Sequence, residues 1–365
     1  MTITPVATAR LLGGTPPDPL PRISLDEVVD LAARSGLTGR GGAGFPTERK
    51  LAAVAASRAR PVVVGNAMEG EPLSRKDALL LRTSPGLVLD GLELLGGALR
   101  VKRTVLAVGH HIDPSAVQVA AAQRPVEVRR VEGGFAAGQE SALVNRLAGR
   151  PGLPSDPRRP VWQHGLDGRP TLVLNAETLA RLALLARYGD AVVPGTRLVS
   201  VSGSSADVLA RPGVHEVAEG STLGEVLEAA GVATMRVRAV LAGGYHGTWR
   251  TRPDDRLDVG IVHVLDRRDC PLRASADIAS YLARESLGQC GPCLNGLPRM
   301  AHALDRLARR EADPTLSADV ERMQALVIGR GACGHPDGTA RFVASTMQVF
   351  AGHVTEHQAG RCHAA

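Results

Sequence analysis

Residues 85–131 read PGLVLDGLELLGGALRVKRTVLAVGHHIDPSAVQVAAAQRPVEVRRV. The stretches 85–99 and 114–123 have helical texture, and each is followed by a short apolar run, Thr104–Val108 and Val126–Val131, that predicts a strand. Outward from there the pattern repeats. Val62–Val64 and Thr171–Leu174 are further strand-like runs, and 139–148 and 176–187 further helical stretches. Strands alternating with helices in this way argue for an α/β layer. Before it, SLDEVVDLAARS (24–35) carries a Ser cap, early acids and a following Gly36, the start and stop signals of a short helix.

The texture changes near Leu198. RLVSVSG, VHEVA and VRAVLAGG read as short strands around one helix, LGEVLEAAGV, which predicts a small separate α+β unit. After Asp269 only helical patterns remain: SADIASYLARES, LNGLPRMAHALDRLARRE, LSADVERMQALVIG and GTARFVASTMQVFAGHVTEHQ place apolar residues three and four apart. A helical bundle is expected there.

The 365 residues suffice for two or three domains, and 44% hydrophobic content is that of a globular protein. No run approaches the ~18 apolar residues of a membrane helix, and prolines interrupt the opening MTITPVATARLLGGTPPDPLP where a signal peptide needs an apolar stretch. A soluble, cytoplasmic chain that does not itself span a membrane is expected. The 43 Lys and Arg against 37 acids are dispersed, and two Trp, three Tyr and four Phe are too few for a base-stacking platform. Nucleic acid is therefore not an expected partner. All five cysteines (Cys270, Cys290, Cys293, Cys333, Cys362) fall in the last hundred residues, a distribution that suits a metal or cluster site in a reducing compartment better than a disulfide framework.

Gly39-Arg40-Gly41-Gly42-Ala43-Gly44 satisfies G-x-G-x-x-G, whose glycines let backbone amides approach a phosphate. The dinucleotide fingerprint requires a strand before the loop, however, and here a helix precedes it. Alone, the loop is as consistent with a structural turn. Its surroundings are more specific. Ser35-Gly36-Leu37-Thr38-Gly39-Arg40-Gly41-Gly42-Ala43-Gly44-Phe45-Pro46-Thr47 with Lys50, then Gly65-Asn66-Ala67-Met68-Glu69-Gly70-Glu71-Pro72 with Lys76-Asp77, then Gly138-Gln139-Glu140-Ser141-Ala142-Leu143 and Asn175-Ala176-Glu177-Thr178-Leu179-Ala180 follow one another in order. This series resembles the NADH-binding flavoprotein subunit of respiratory complex I and of NADH-linked hydrogenases, and the likeness runs on into the cysteine region.

That resemblance implies a Rossmann-like flavin domain over 1–195, a ubiquitin-like β-grasp module of the SLBB type over 196–267, and a helical iron-sulfur domain over 268–365. It also implies FMN as cofactor and NADH as substrate. The implied cofactor-binding set is Gly39, Arg40, Gly41, Gly42, Gly44, Phe45, Lys50, Asn66, Glu69, Glu71, Gly138, Glu140 and Asn175. Within it the glycines, Lys50, Asn66, Glu140 and Asn175 contact flavin, and Phe45 and Glu71 face nicotinamide. Glycine amides and Lys50 would neutralise the phosphate, and the Asn side chains can donate to or accept from the ring edge. The chain departs from the family's pattern at Met68 in place of Asp, Gln139 in place of Glu, Leu174 in place of Asn and Glu48 in place of Gly, and Leu51-Ala52-Ala53 replaces an aromatic-rich stretch. Read without the family, Glu69 and Glu71 are solvated loop acids and His110-His111 a structural or exposed pair.

Glu285-Ser286-Leu287-Gly288-Gln289-Cys290-Gly291-Pro292-Cys293, with Cys333 forty residues on, resembles the family's E-S-C-G-x-C-x-P-C and distant fourth Cys, with Leu287 in the first Cys position. C-x-x-C at a helix start presents two thiolates to one centre, and a later loop supplies a third. The resemblance implies a [4Fe-4S] cluster; three thiolates also suit a [3Fe-4S] cluster. His335, Cys362 and Cys270 are open candidates for a fourth ligand, and Cys290, Cys293, Cys333 and His335 together form a set that suits tetrahedral zinc. The function implied is transfer of electrons from NADH through FMN to the cluster, with other electron-transfer subunits or a ferredoxin as partners, at the periphery of a membrane complex or free in the cytoplasm. The alternative is an iron-sulfur relay or scaffold subunit whose flavin pocket has decayed.

Overall fold

The four apolar runs of the first half form one parallel sheet. β1 (Val62–Ala67), β2 (Thr104–Gly109), β3 (Glu127–Val131) and β4 (Thr171–Asn175) lie in the order β3-β2-β1-β4. The computed structural model describes residues 10–57, 59–156, 158–193, 195–362 and 364. Side chains alternate across this sheet: Val63, Leu106, Val108, Leu172 and Leu174 enter one core, and Val62, Val64, Val105, Ala107 and Val173 the other. Both faces are therefore covered, as parallel strands require.

The helices of this half are α1 (Leu25–Arg34), α2 (Thr47–Ala55), α3 (Lys76–Thr83), α4 (Pro85–Ala98), α5 (Ser115–Ala121), α6 (Glu140–Leu147) and α7 (Ala176–Tyr188). Ser24 and Glu27 close a capping box on α1, so the cap read from sequence is present. α4 and α7 pack closely because Gly91 has no side chain: a Cβ there would lie 2.2 Å from the Leu179 carbonyl oxygen. Strand order reverses direction between β1 and β4, which makes the carboxyl ends of those two strands the switch point of the sheet, where α/β folds bind ligands.

A second, mixed sheet follows, with β5 (Thr196–Gly203), β6 (Gly213–Ala218), β7 (Val237–Ala242), β8 (Thr248–Arg250) and β9 (Ile261–Asp266) in the order β6-β5-β9-β7-β8. Helix α8 (Leu223–Ala229) covers one face, meeting Val199, Val201, Val240, Val262 and Val264. Ala239, Leu241, Trp249 and Leu265 point the other way, into the core of the helical region. That region contains α9 (Pro271–Arg284), α10 (Leu297–Ala308), α11 (Leu316–Val327), α12 (His335–Val349) and α13 (Ala351–Gln358), with a π-helical turn, Pro292–Gly296, leading into α10. No described helix is long and apolar enough to cross a membrane.

Candidate functional site

The glycine loop is a closed turn. Thr38 bridges to Pro46, the Gly39 amide donates to the Phe45 carbonyl at 2.8 Å and the Thr47 amide to the Leu37 carbonyl at 3.0 Å, so the loop leads straight into the N-terminus of α2. A helix precedes the loop and a helix follows it. Gly42 and Gly44 have φ of +97° and +61°, and a Cβ at either would meet nothing within 4 Å. The space in front of the loop is thus open, while its backbone needs residues tolerant of positive φ. A Cβ at Gly41 would stand 3.8 Å from the Asn175 Cβ, which puts the loop beside the end of β4. Phe45 is 48% exposed, an apolar ring presented on the loop.

The two asparagines are direct partners across β1 and β4 at the switch point. Asn66 donates to the Gly138 carbonyl at 2.9 Å and accepts from the Met68 amide at 3.1 Å. Asn175 caps α7, donates to Asp77 Oδ2 (2.9 Å) and the Asn66 carbonyl (3.2 Å), and accepts from Lys76 Nζ at 2.9 Å. Lys76 lies buried, with Asp77 and Glu177 at 2.8 and 3.0 Å. Burial alone would lower its pKa, but Asp77 and Glu177 outweigh that and hold it above the ordinary lysine value. Lys50 Nζ bonds the Val173 carbonyl at 2.9 Å and pairs with Glu140 at 2.8 Å, both side chains remaining part-exposed. Two replaced positions explain themselves by packing: Met68 and Leu174 are buried in the cores on the two faces of the sheet.

Two members of the implied set have strong partners within the protein. The buried Arg40 guanidinium pairs with Glu219 and approaches Glu177, and its amide donates to Thr178 Oγ1 at 3.0 Å, so both its charge and its amide are taken within the protein. Glu69, at φ +43°, accepts from the Asp77 and Ala78 amides and from Ser74 Oγ, capping the start of α3. Burial, and then the Asp77 carboxylate, raise its pKa.

Glu71 is no solvated loop acid either. It accepts from the Tyr245 amide at 2.9 Å, beyond the first sheet, and burial pushes its pKa up to about 7. A carboxyl raised in this way binds more protons folded than unfolded between its ordinary pH and neutrality. Its stabilising contribution is therefore complete below about pH 4.5 and is lost as pH rises through about 7. Glu71→Gln keeps the acceptor without the charge. It is expected to remove a fall in unfolding free energy on the order of 2 to 3 kcal/mol between those pH values, read as the parent-minus-variant difference in urea melts. Identical pH profiles for the two chains would refute this assignment.

Cys290, Cys293 and Cys333 converge. Burial, followed by the neighbouring Cys290 and Cys333 thiols, raises Cys293 to about 12, and burial chiefly raises Cys333, again with Cys290 beside it. Cys293 sits in the π-helical turn, a geometry frequent at functional sites. Leu287, in the family's first Cys position, is part-buried in the preceding loop. His335 is not a free ligand: Nε2 donates to the Leu282 carbonyl at 2.9 Å, so Nδ1 accepts from His246 Nε2 at 3.1 Å. The Cys₃His zinc set therefore lacks its histidine. Cys270 and Cys362 lie instead with His357.

The glycine-loop and cysteine sites adjoin through one short segment. The 3₁₀ turn Phe135–Gly138 is held at Gly138 by Asn66 and at the Phe135 amide by Glu285 Oε2 (3.0 Å), five residues before Cys290. Gln289 adds a bond to the Pro154 carbonyl at 3.0 Å. Phe135 packs on His246 and His335, with ring centroids 4.7 and 5.6 Å away. Burial, with His335 and Arg341 nearby, lowers His246 to about 3, so its ring is uncharged at neutral pH. Glycine spacing and the cysteine motif point to both sites in the sequence; the His246–His335 pair has no comparable signal, since its members are 89 residues apart.

Residues 32–184 match the family model described as the Nuo51 FMN-binding domain, and residues 273–357 match the NADH-ubiquinone oxidoreductase-F iron-sulfur binding region. The chain is 28% identical to the F subunit of NADH-quinone oxidoreductase from Aquifex aeolicus, covering 90% of this chain and 85% of the relative, and 28% identical to that of Escherichia coli, covering 90% and 83%. It is likewise 28% identical to the HndC subunit of the NADP-reducing hydrogenase of Solidesulfovibrio fructosivorans, covering 91% and 76%. Among solved structures, an NAD+-reducing [NiFe]-hydrogenase matches in its air-oxidized state with a TM-score of 0.86 at 27% identity over 97% of this chain and 67% of the other. In its H2-reduced state the TM-score is 0.84 at 27% identity over 92% of this chain, which spans 62% of that hydrogenase chain's length. With both the flavin and the iron-sulfur regions matched, the chain belongs to the flavoprotein family that contains the F subunit of NADH-quinone oxidoreductase and the related subunits of NAD(P)-linked hydrogenases.

Proposed function

We propose that this chain takes electrons from NADH at an FMN held beside the glycine loop and forwards them to an iron-sulfur cluster held by Cys290, Cys293 and Cys333. In module terms, 1–195 serves flavin and NADH, 196–267 is a β-grasp connector and 268–365 holds the cluster. The observation that carries this reading is the turn Phe135–Gly138, gripped by Asn66 on the flavin side and by Glu285 on the cysteine side. Bound flavin accepts hydride and releases single electrons. The chain's own residues do the rest. The loop and the α2 N-terminus offer amides to a phosphate, Lys50 offers charge, Phe45 offers a face for nicotinamide, and Phe135, His246 and His335 fill the junction with uncharged rings. Three thiols fit an iron-sulfur cluster with one position left to a ligand other than cysteine.

The electrons leave to a further electron-transfer subunit or a ferredoxin, with the chain in the cytoplasm or on the periphery of a membrane complex. The relatives' designation as subunits supports that reading. Protein purified without oxygen is expected to show flavin and iron-sulfur absorbance, and NADH should bleach the first and bring up the paramagnetic signal of a reduced cluster. An iron-sulfur shoulder alone, with no FMN affinity up to high micromolar concentration, would replace this reading with that of a relay subunit.

Lys50 tests how the phosphate is held. Lys50→Ala removes one charge-assisted contact worth about 1.5 to 3 kcal/mol, so FMN titration of the apo protein should show affinity weakened about ten- to a hundred-fold. Equal affinity in parent and variant would mean that the Lys50 charge serves Glu140 alone.

A further inference from the structure

Cys270, His357 and Cys362 form a second constellation. Their ligand atoms all lie within 4.8 Å of one another, and Cys270 Sγ is 3.5 Å from His357 Nε2. His357 is only 1% exposed, and its Nδ1 stands 3.1 Å from the Leu307 carbonyl oxygen. A carbonyl only accepts, so Nδ1 carries the proton and Nε2 turns its lone pair to the sulfur. That is the arrangement by which a metal-binding histidine is oriented, with its other nitrogen donating to a backbone carbonyl. A tetrahedral ion with bonds of about 2.3 Å to sulfur and about 2.0 Å to nitrogen places those two ligands about 3.5 Å apart, which is the separation present here.

We propose that Cys270, His357 and Cys362 bind one divalent zinc-type cation, separate from the Cys290–Cys293–Cys333 centre, with solvent completing the tetrahedron. Both cysteines lie outside the span 273–357 that matches the family's iron-sulfur region, and the other thiol acting on Cys270 is Cys362, whereas Cys293 responds to Cys290 and Cys333. Two thiolates balance the charge of the ion, so binding releases the two thiol protons and leaves a neutral site. All five cysteines are free thiols, as the ion requires. Cys270 caps the start of α9 and Cys362 follows α13, so the ion fastens together the two ends of the helical region that carries the other three cysteines. A bridge across so long a loop restricts the unfolded chain strongly.

The test measures zinc and iron together in the full chain, purified without oxygen with its cluster and dialysed against zinc chloride and then metal-free buffer. About one zinc per chain is expected in the parent. Cys362→Ser, a change in the segment after the last helix, should lower zinc at least tenfold with iron unchanged, while Cys293→Ala should do the reverse. Replacing the zinc by cobalt should give thiolate-to-metal charge-transfer absorption that Cys362→Ser lacks, and a chelator should lower the melting temperature of the parent but not that of the Cys362→Ser chain. Zinc that is absent from the parent or unaffected by Cys362→Ser overturns the proposal. So does a Cys270–Cys362 disulfide found by peptide mapping of the parent and lost on reduction, because those thiols would then not be ligands.

Discussion

A Gly42→Val chain is expected to lose FMN binding by at least about a hundred-fold, measured by titration of the apo protein, which corresponds to about 3 kcal/mol or more. Gly42 holds φ at +97°, a conformation that a β-branched residue adopts only under strain of roughly 1 to 3 kcal/mol, so the loop backbone must shift. A Cβ there has no atom within 4 Å apart from its chain neighbours, so no close packing opposes the first carbon of the added side chain. The side chain would project into the open space through which a phosphate approaches the loop amides. The two effects can be separated. Gly42→Ala introduces the backbone strain with little bulk and should fall between parent and Val, and a thermal melt of each apo chain reports the loss of fold stability alone. Unchanged affinity in Gly42→Val would place the phosphate elsewhere.

Cys293→Ala is expected to leave less than about a tenth of the parent's iron. Cys293 is buried in the π-helical turn with Cys290 and Cys333 acting on it, and a three-thiolate site that loses one member retains only two corners of a cluster. The thiol also packs in the helical core, so its removal leaves a small void costing on the order of 1 kcal/mol. Cys293→Ser nearly preserves the volume and should lose iron equally, which distinguishes ligand loss from packing loss. Cys290→Ala and Cys333→Ala should behave alike. Iron content equal to the parent's in all three alanine variants would show that these thiols do not share one centre.

The parallel sheet was legible because β1, β2 and β4 carry runs of buried apolar residues, the signature of strands covered on both faces, whereas the edge strand β3 is EVRRV and shows the pattern only weakly. Three elements left weak signals. α2 begins only three residues after the glycine loop, α3 buries Lys76 and Asp77 in its first turn, and β8 has only three residues. Site residues were legible as motif positions but not as directions. Arg40 sits within the glycine motif, yet its counter-ion Glu219 comes 179 residues later, and no local pattern announces a partner that distant. Glu69 is likewise drawn to the α3 N-terminus, an element hidden from the pattern. Cys270 and Cys362 were visible as thiols, but what they face was not, since His357 meets Cys270 only through the packing of α13 near α9.

In the second sheet, Ala239 and Leu241 face the helical region, and Val240 between them faces α8. One strand thus serves two cores at once, and Trp249 donates from its indole to Ser275 of α9 and Thr346 of α12. A chain cut after β9 would leave Leu241, Trp249 and Leu265 as a bare apolar stripe in water, prone to self-association. The helices, for their part, would lose the floor on which they pack. Although the sequence changes texture at this point, the shared core ties the two regions together, and they are expected to unfold in one transition rather than two.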